Sequence, residues 1–283
     1  MAKTVALINM KGGVGKSTIA VNLAWQYAAY NRWLKNVLVV DLDPQFNASQ
    51  YLLGVQEYAK QVIEDQTPTV WDIFEQITRT PGSEPRASLA PADAIINVST
   101  MSGSGNRVDL LASRLELAFS LKQPAQKEYL LAKFLRKIKQ QYDLILIDCA
   151  PTESVLTTAA YLASDYILVP VRPEFLSAIG LPLLARSLSD FKKQFDEHKI
   201  DLAGVVFNEV HAGSSEQQRM KRDVRSVAKQ HNWHVFSAEI GYSRSYPRGA
   251  REGNPIFWTS HAQAIRKSNF HSFAQEFAAR IAL

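Results

Sequence analysis

The chain predicts an α/β protein, an open, doubly wound, mostly parallel sheet flanked by helices. Three observations carry that expectation. Residues 4–9, 37–41, 143–148, 166–171 and 202–208 are apolar runs without alternation, as strands are when helices cover both faces of a parallel sheet. Helical patterns fill the intervals at about 16–30, 126–140, 154–164, 177–197 and 215–230, and a last one covers 262–281. The first strand runs into a glycine-rich loop that opens a helix.

The strand at 4–9 stops at Asn9 and lacks the basic-then-apolar pattern of a signal peptide. No run of 18 or more apolar residues exists to span a membrane. One cysteine, Cys149, excludes an internal disulfide and any multi-cysteine metal site, and it reads as a small packed residue. A cytoplasmic protein is expected. The 283 residues and 46% hydrophobic content suit one domain over 1–283. Residues 78–106 break the strand–helix alternation. TRTPGSEPRASLAPADA followed by SGSGN reads as a surface excursion on one edge of that domain.

The loop MKGGVGKST, residues 10–18, follows the first strand. Gly12, Gly13 and Gly15 let the backbone curl around Val14, so that successive N–H groups converge on phosphate oxygens. The helix that begins there adds its dipole. Lys16 is placed for the β- and γ-phosphates, the Ser17 hydroxyl for Mg²⁺, and Thr18 for a neighbouring phosphate. Met10 stands where the common G-x-x-x-x-G-K-[ST] pattern has glycine, so the loop is a variant. A second lysine, Lys11, is more than one phosphate chain needs.

Strand ends supply the carboxylates. Asp41 and Asp43 follow the second strand and Asp148 follows the third, at the edge where ligands bind in doubly wound sheets. Asp148 suits Mg²⁺ through water. Asp41 reads as support for the Mg²⁺ shell, and either Asp41 or Asp43 can be a turn residue or helix cap. Asn208, closing the last strand, could pair with a base edge or cap a turn.

The formal net charge is +5. Residues 211–283 hold 11 Lys and Arg against 5 Asp and Glu, while residues 1–210 hold 21 against 22. All of the excess sits in the last quarter, which points to an anionic partner or to a solvated basic face. In the helix at 215–230, Met220, Val224 and Val227 form an apolar stripe, and Arg222, Arg225 and Lys229 lie opposite. Arg244, Arg248, Arg251, Arg266 and Lys267 follow. In the C-terminal stretch 269–283, Phe270, Phe273, Phe277 and Ile281 can share an apolar face, but only Arg280 is basic where a membrane-surface helix wants several cations on its polar face, so a core helix is expected.

KGGVGKST (11–18), VLVVDLDPQFNAS (37–49), YDLILIDCAP (142–151), SDYILVPVRPEFLSAIGL (164–181) and GYSRSYPRGAREGNPI (241–256) together resemble the ParA/MinD family of deviant Walker ATPases over nearly the whole length. The nearest likeness is to the small, Soj-like ParA proteins. The resemblance implies an ATPase with ATP and Mg²⁺ as cofactors and a face-to-face, nucleotide-sandwich homodimer. Lys11 takes the place of the family's signature lysine, which points at the other subunit's nucleotide. Lys16 and Asp43 join it as catalytic residues, Asp43 orienting the attacking water. Non-specific duplex DNA is the implied partner of the C-terminal basic residues, with a ParB-like or other small partner stimulating slow hydrolysis. The implied role is plasmid or chromosome partition, or cargo positioning, by a nucleoid-associated protein. The rivals are a MinD-like membrane positioning ATPase, a metabolic ATPase like the nitrogenase iron protein, and a binding module without turnover. The lack of cluster cysteines counts against the metabolic reading, and Asp43 with Asp148 against the last.

Overall fold

The computed structural model describes residues 2–30, 32–76, 89–122, 126–174, 177–259 and 264–283. Among them, seven strands form one sheet in the order β3-β4-β2-β5-β1-β6-β7. The strands are β1 (Lys3–Leu7), β2 (Val37–Leu42), β3 (Ile95–Thr100), β4 (Arg107–Leu111), β5 (Leu144–Cys149), β6 (Tyr166–Val171) and β7 (Asp201–Phe207). All pair in parallel except the edge strand β3, which runs antiparallel to β4. The helices are α1 (Lys16–Ala29), α2 (Asn47–Tyr58), α3 (Val70–Glu75), α4 (Pro91–Ala94), α5 (Leu130–Arg136), α6 (Val155–Ala163), α7 (Ser177–Gln194), α8 (Ser215–Gln230), α9 (Ser245–Glu252) and α10 (Ala264–Ile281).

The pleat of the central strands sorts the core into two layers. Leu38, Val40 and Leu42 of β2, with Ile145 and Ile147 of β5, face α5, α6, α7 and α8 through Leu131, Tyr161, Leu184 and Val224. Val37 and Val39, with Leu144 and Leu146, face α1, α2, α9 and α10 through Leu23, Tyr51, Tyr246 and Phe273. Both sets are buried, which explains why these strands read as unbroken apolar runs.

The structure departs from the sequence expectation at one edge. Residues 95–100, inside the expected surface excursion, form strand β3, which pairs with β4 at 107–111 just beyond it. Ile95–Thr100 is only partly covered, so its sequence lacks the apolar continuity of the central strands. Residues 77–88 of that stretch lie outside the described residues. The helix expected at 126–140 is shorter, α5 ending at Arg136 before a separate turn at Lys139–Gln141. Helix α8 has the expected boundaries.

Helix α10 packs into the core. Phe270, Phe273, Phe277 and Ile281 are at most 1% exposed. Tyr27 donates to the Ala274 carbonyl at 2.7 Å, and Arg280 Nε donates to the Ala203 carbonyl at 3.0 Å. Among the described residues, no helix is long and apolar enough to cross a membrane. Phe277→Ala should lower unfolding free energy by about 3–5 kcal/mol, the cost of deleting a buried aromatic ring. Urea denaturation measures this, and a loss under about 1 kcal/mol would mean that α10 is not part of the core.

Candidate functional site

The parallel strands end together. The pairing registers set Asp148 of β5 level with Leu7 of β1 and Asp41 of β2. The segment after β1 therefore rises beside the Asp148 end of β5, with the Asp41 end of β2 one strand further on, before it enters α1.

That segment is clamped to the ends of β6 and β7. Asn9 donates its side-chain amide to the Pro170 carbonyl at 2.7 Å and accepts from the Lys11 backbone N–H at 2.9 Å. Asn208 Nδ2 donates to the Val14 carbonyl at 2.9 Å. Gly15 begins α1 in the left-handed region, at φ 88°, and a Cβ there would strike the Asn208 amide. Asn208 thus gives one amide N–H to the loop. Gly13 is also left-handed, at φ 71°.

Lys16 folds back over this loop, its Nζ donating to the carbonyls of Asn9 (3.2 Å) and Lys11 (3.3 Å). Burial lowers its pKa, while the carboxyl groups of Asp148 and Asp43 pull the other way. Asp148 is fully buried, and neither of its carboxylate oxygens has a hydrogen-bond partner of normal geometry among the described residues. Burial, and then the charge of Asp41, push its pKa well above the usual range; the nearby Ser17 hydroxyl and Lys16 oppose that shift. The Ser17 hydroxyl is thus close enough to act on the carboxylate without completing a regular hydrogen bond. An orphaned buried carboxylate beside a hydroxyl, at the foot of a phosphate loop, fits a hard, oxygen-seeking cation such as Mg²⁺.

Asp41 does different work. Its Oδ2 accepts from the Ser49 backbone N–H (2.8 Å) and hydroxyl (2.7 Å), and its Oδ1 from the Asp43 N–H (3.2 Å). Phe46, at the N-cap of α2, supplies no capping side chain, so Asp41 caps that helix from the strand end. Burial raises the Asp41 pKa to about 7 against the lowering effect of the Ser49 bonds. Asp43 accepts from the Gln45 N–H at 2.9 Å and faces a cleft of about 500 Å³. Gly12, Gly13, Gly15, Lys16, Ser17 and Thr18 line that cleft together with Asn47 and Tyr51.

Lys11 pairs with Glu174 at 2.7 Å. Arg172 holds the other oxygen of Glu174 at 2.8 Å and reaches Glu209 at 3.1 Å. Lys11, then Arg172, keeps the Glu174 carboxyl below its ordinary pKa, whereas burial raises that of Glu209. The sequence does not point to Arg172, Glu174 or Glu209 as site residues. Their signal is slight: charged residues just past two apolar strands.

The basic residues of the last quarter do not form one surface. Helices α8 and α9 belong to opposite layers. Arg222 and Lys229 are exposed on α8 and make no ion pair among the described residues. Arg225 pairs with Glu239 at 3.3 Å over the Phe207 ring, and buried Lys221, which the sequence does not single out, holds the same Glu239 at 2.6 Å. On α9, Arg248 pairs with Glu252 at 2.6 Å. Arg251 lines the phosphate cleft instead of joining the α8 stripe, and Arg244 is exposed at the start of the helix. The Arg266 side chain lies outside the described residues.

A family model described as "AAA domain" matches residues 2–202. The chain is 30% identical over 226 residues to the chromosome partitioning protein ParA of Caulobacter vibrioides, covering 79% of this chain and 76% of that one. It is 32% identical over 199 residues to the sporulation initiation inhibitor protein Soj of Bacillus subtilis, covering 69% and 68%. Its fold matches an ATP complex of McdA from Cyanothece with a TM-score of 0.77 at 18% identity, covering 100% of this chain and 97% of that one.

The raised pKa of Asp41 has a signed consequence. Folding favours its protonated form, so its stabilising contribution is complete below the unfolded value of 3.8 and is lost as pH rises through about 7. In nucleotide-free protein, the melting temperature of Asp41→Asn relative to wild type should therefore rise from pH 4 to pH 7. A difference that stays flat across that window in thermal melts would mean that Asp41 ionises as in the unfolded chain.

Proposed function

The chain belongs to the ParA/MinD family of deviant Walker ATPases, and on that premise we propose that it is a ParA-type switch. ATP closes a homodimer around two nucleotides. The closed dimer binds duplex DNA of any sequence on the nucleoid. A small activating partner speeds slow hydrolysis and releases the DNA, in the service of replicon partition or cargo positioning. The observation that carries the reading is the convergence of Lys16, Ser17 and Asp43 on one cleft, with the orphaned carboxyl of Asp148 beside Ser17 and Lys16.

Phosphoryl transfer to water needs positioning and charge neutralisation more than covalent chemistry. Lys16 is pre-aimed by two loop carbonyls, which it exchanges for phosphate oxygens when ATP enters. The N–H groups of the loop and the start of α1 receive the remaining phosphate charge. Ser17 and Asp148 would hold Mg²⁺, which neutralises phosphate charge when bound. Asp43, held by the Gln45 N–H, orients the attacking water. Lys11 serves the nucleotide of the second subunit.

Two features favour DNA over a membrane as the anionic partner. Phe270, Phe273, Phe277 and Ile281 of α10 are buried, so the described part of that helix has no large apolar face to lay on lipid. Arg222 and Lys229 stand exposed on α8, as phosphate contacts need charge and no base readout.

Lys16→Ala should lose ATP binding. Asp43→Ala should retain it while hydrolysis falls on the order of a hundredfold, the scale of a lost general base or water-orienting group. Equilibrium nucleotide binding beside phosphate release measures both, and equal hydrolysis in Asp43→Ala and wild type removes Asp43 from its role.

With a non-hydrolysable ATP analogue, DNA binding should weaken steeply with salt. Arg222→Ala or Lys229→Ala should flatten the log–log salt slope by about one for each phosphate left without its cation. Arg225→Ala should change it less, because Glu239 already neutralises that residue. Mobility shifts across a salt series, run beside flotation on anionic liposomes, decide the matter; flotation without a DNA shift sinks the DNA reading.

A further inference from the structure

Lys11 is the residue whose surroundings fit its proposed role least comfortably. A lysine that serves a second subunit should project from the surface, yet its ammonium is bonded within its own chain, 2.7 Å from Glu174 Oε2. The Lys11 side chain is 24% exposed.

Glu174 is not a surface carboxylate that happens to lie nearby. Arg172 Nη2 grips its other oxygen at 2.8 Å. Arg172 is itself anchored by Glu209 at 3.1 Å and reaches toward the Gly13 carbonyl at 3.5 Å. The Glu174 backbone N–H closes a tight turn onto the Arg172 carbonyl at 2.8 Å. At the other end, the Lys11 backbone is fixed by Asn9. Acceptor and donor are therefore both held, and the pair bridges the phosphate loop to the segment that leads from β6 into α7.

We propose that Glu174 is a positioning residue for Lys11, a latch that holds the ammonium in its own subunit until a triphosphate in the second subunit outcompetes it. The proposal rests on the ATP-closed dimer reading above. An ammonium held at 2.7 Å by a carboxylate must leave it before it can neutralise a phosphoryl group across an interface. A carboxylate carries one negative charge and a triphosphate several, so ATP on the facing subunit provides the stronger acceptor. The latch thereby sets the concentration at which the dimer closes. It is also light, since a partly exposed ion pair contributes little and exchanges readily. Two latches open for each dimer formed, which doubles their effect on the association equilibrium.

The test is sedimentation equilibrium of the full chain with a saturating non-hydrolysable ATP analogue, comparing wild type, Glu174→Gln, Glu174→Asp and Lys11→Ala, alone and combined with Glu174→Gln. Glu174→Gln should dimerise at a protein concentration lower than wild type by on the order of tenfold, the effect of removing two weak ion pairs. Its monomer should bind the analogue as wild type does, because Lys11 does not serve the nucleotide of its own subunit. Glu174→Asp, which keeps the charge, should return toward wild type. In the Lys11→Ala background, Glu174→Gln should change nothing. A dimerisation constant unmoved or weakened in Glu174→Gln overturns the latch, and so does a shift that persists without Lys11, which would act through Arg172. A wild-type chain that stays monomeric with the analogue overturns the dimer reading and the latch with it.

Discussion

A buried carboxylate with no hydrogen-bond partner sets the terms for the rest of this structure. Asp148 sits at the end of β5, flanked by β1 and β2, with both oxygens unsatisfied among the described residues. Such a group is costly in an interior of low polarity. Its neighbours do not relieve it cheaply: Lys16 is itself buried and has a lowered pKa, and the Asp41 carboxylate is committed to α2. The strain is tolerated because Asp148 stands on a central strand with paired neighbours on both sides, which cannot move to expose it. On the proposed ATPase reading, a cation with phosphate would resolve both buried groups at once, since each charge would then face an opposite one. The cleft is built to be completed by its ligand.

The same rigidity explains how the loop keeps its shape while its charges are unmet. Gly13 and Gly15 supply turns that other residues resist. The loop is then held from outside, by Asn208 on Val14 and by Asn9 on Pro170. Because both clamps come from the ends of β6 and β7, anything that shifts the loop is felt where α7 begins and in the segment before α8. The loop is thus tied to the two strand ends that lead toward α7 and α8.

Much of this is legible in the sequence, for definite reasons. The phosphate loop reads well because its chemistry is local, with glycines, lysine and hydroxyl within a few residues. The central strands read well because burial on both faces makes them continuously apolar. Strand β3 does not, because an edge strand with one open face has no such run, and its neighbourhood is rich in proline and small residues. The pairing of Lys11 with Glu174 joins residues 163 apart in sequence, and nothing local distinguishes Glu174 from any exposed acid. Asp41 is ambiguous in the sequence for a similar reason. Its role as cap for α2 depends on Ser49, eight residues away, and on Phe46 being unable to cap.

The charge count of the last quarter is informative and yet overstates the positive charge free to meet a partner. Lys221 and Arg225 share Glu239, Arg248 is matched by Glu252, and Arg251 turns to the cleft. What stays open on α8 is a short set, Arg219, Arg222 and Lys229. Two or three phosphate contacts hold DNA weakly at physiological salt. On the DNA reading that weakness is an asset. A monomer with one such stripe would rest on DNA only briefly. A dimer with two would bind more tightly than either alone, because the second contact forms at high effective concentration. A surface too weak to act singly makes DNA binding depend on dimer closure, and hence on the phosphate at the far end of Lys11's exchange.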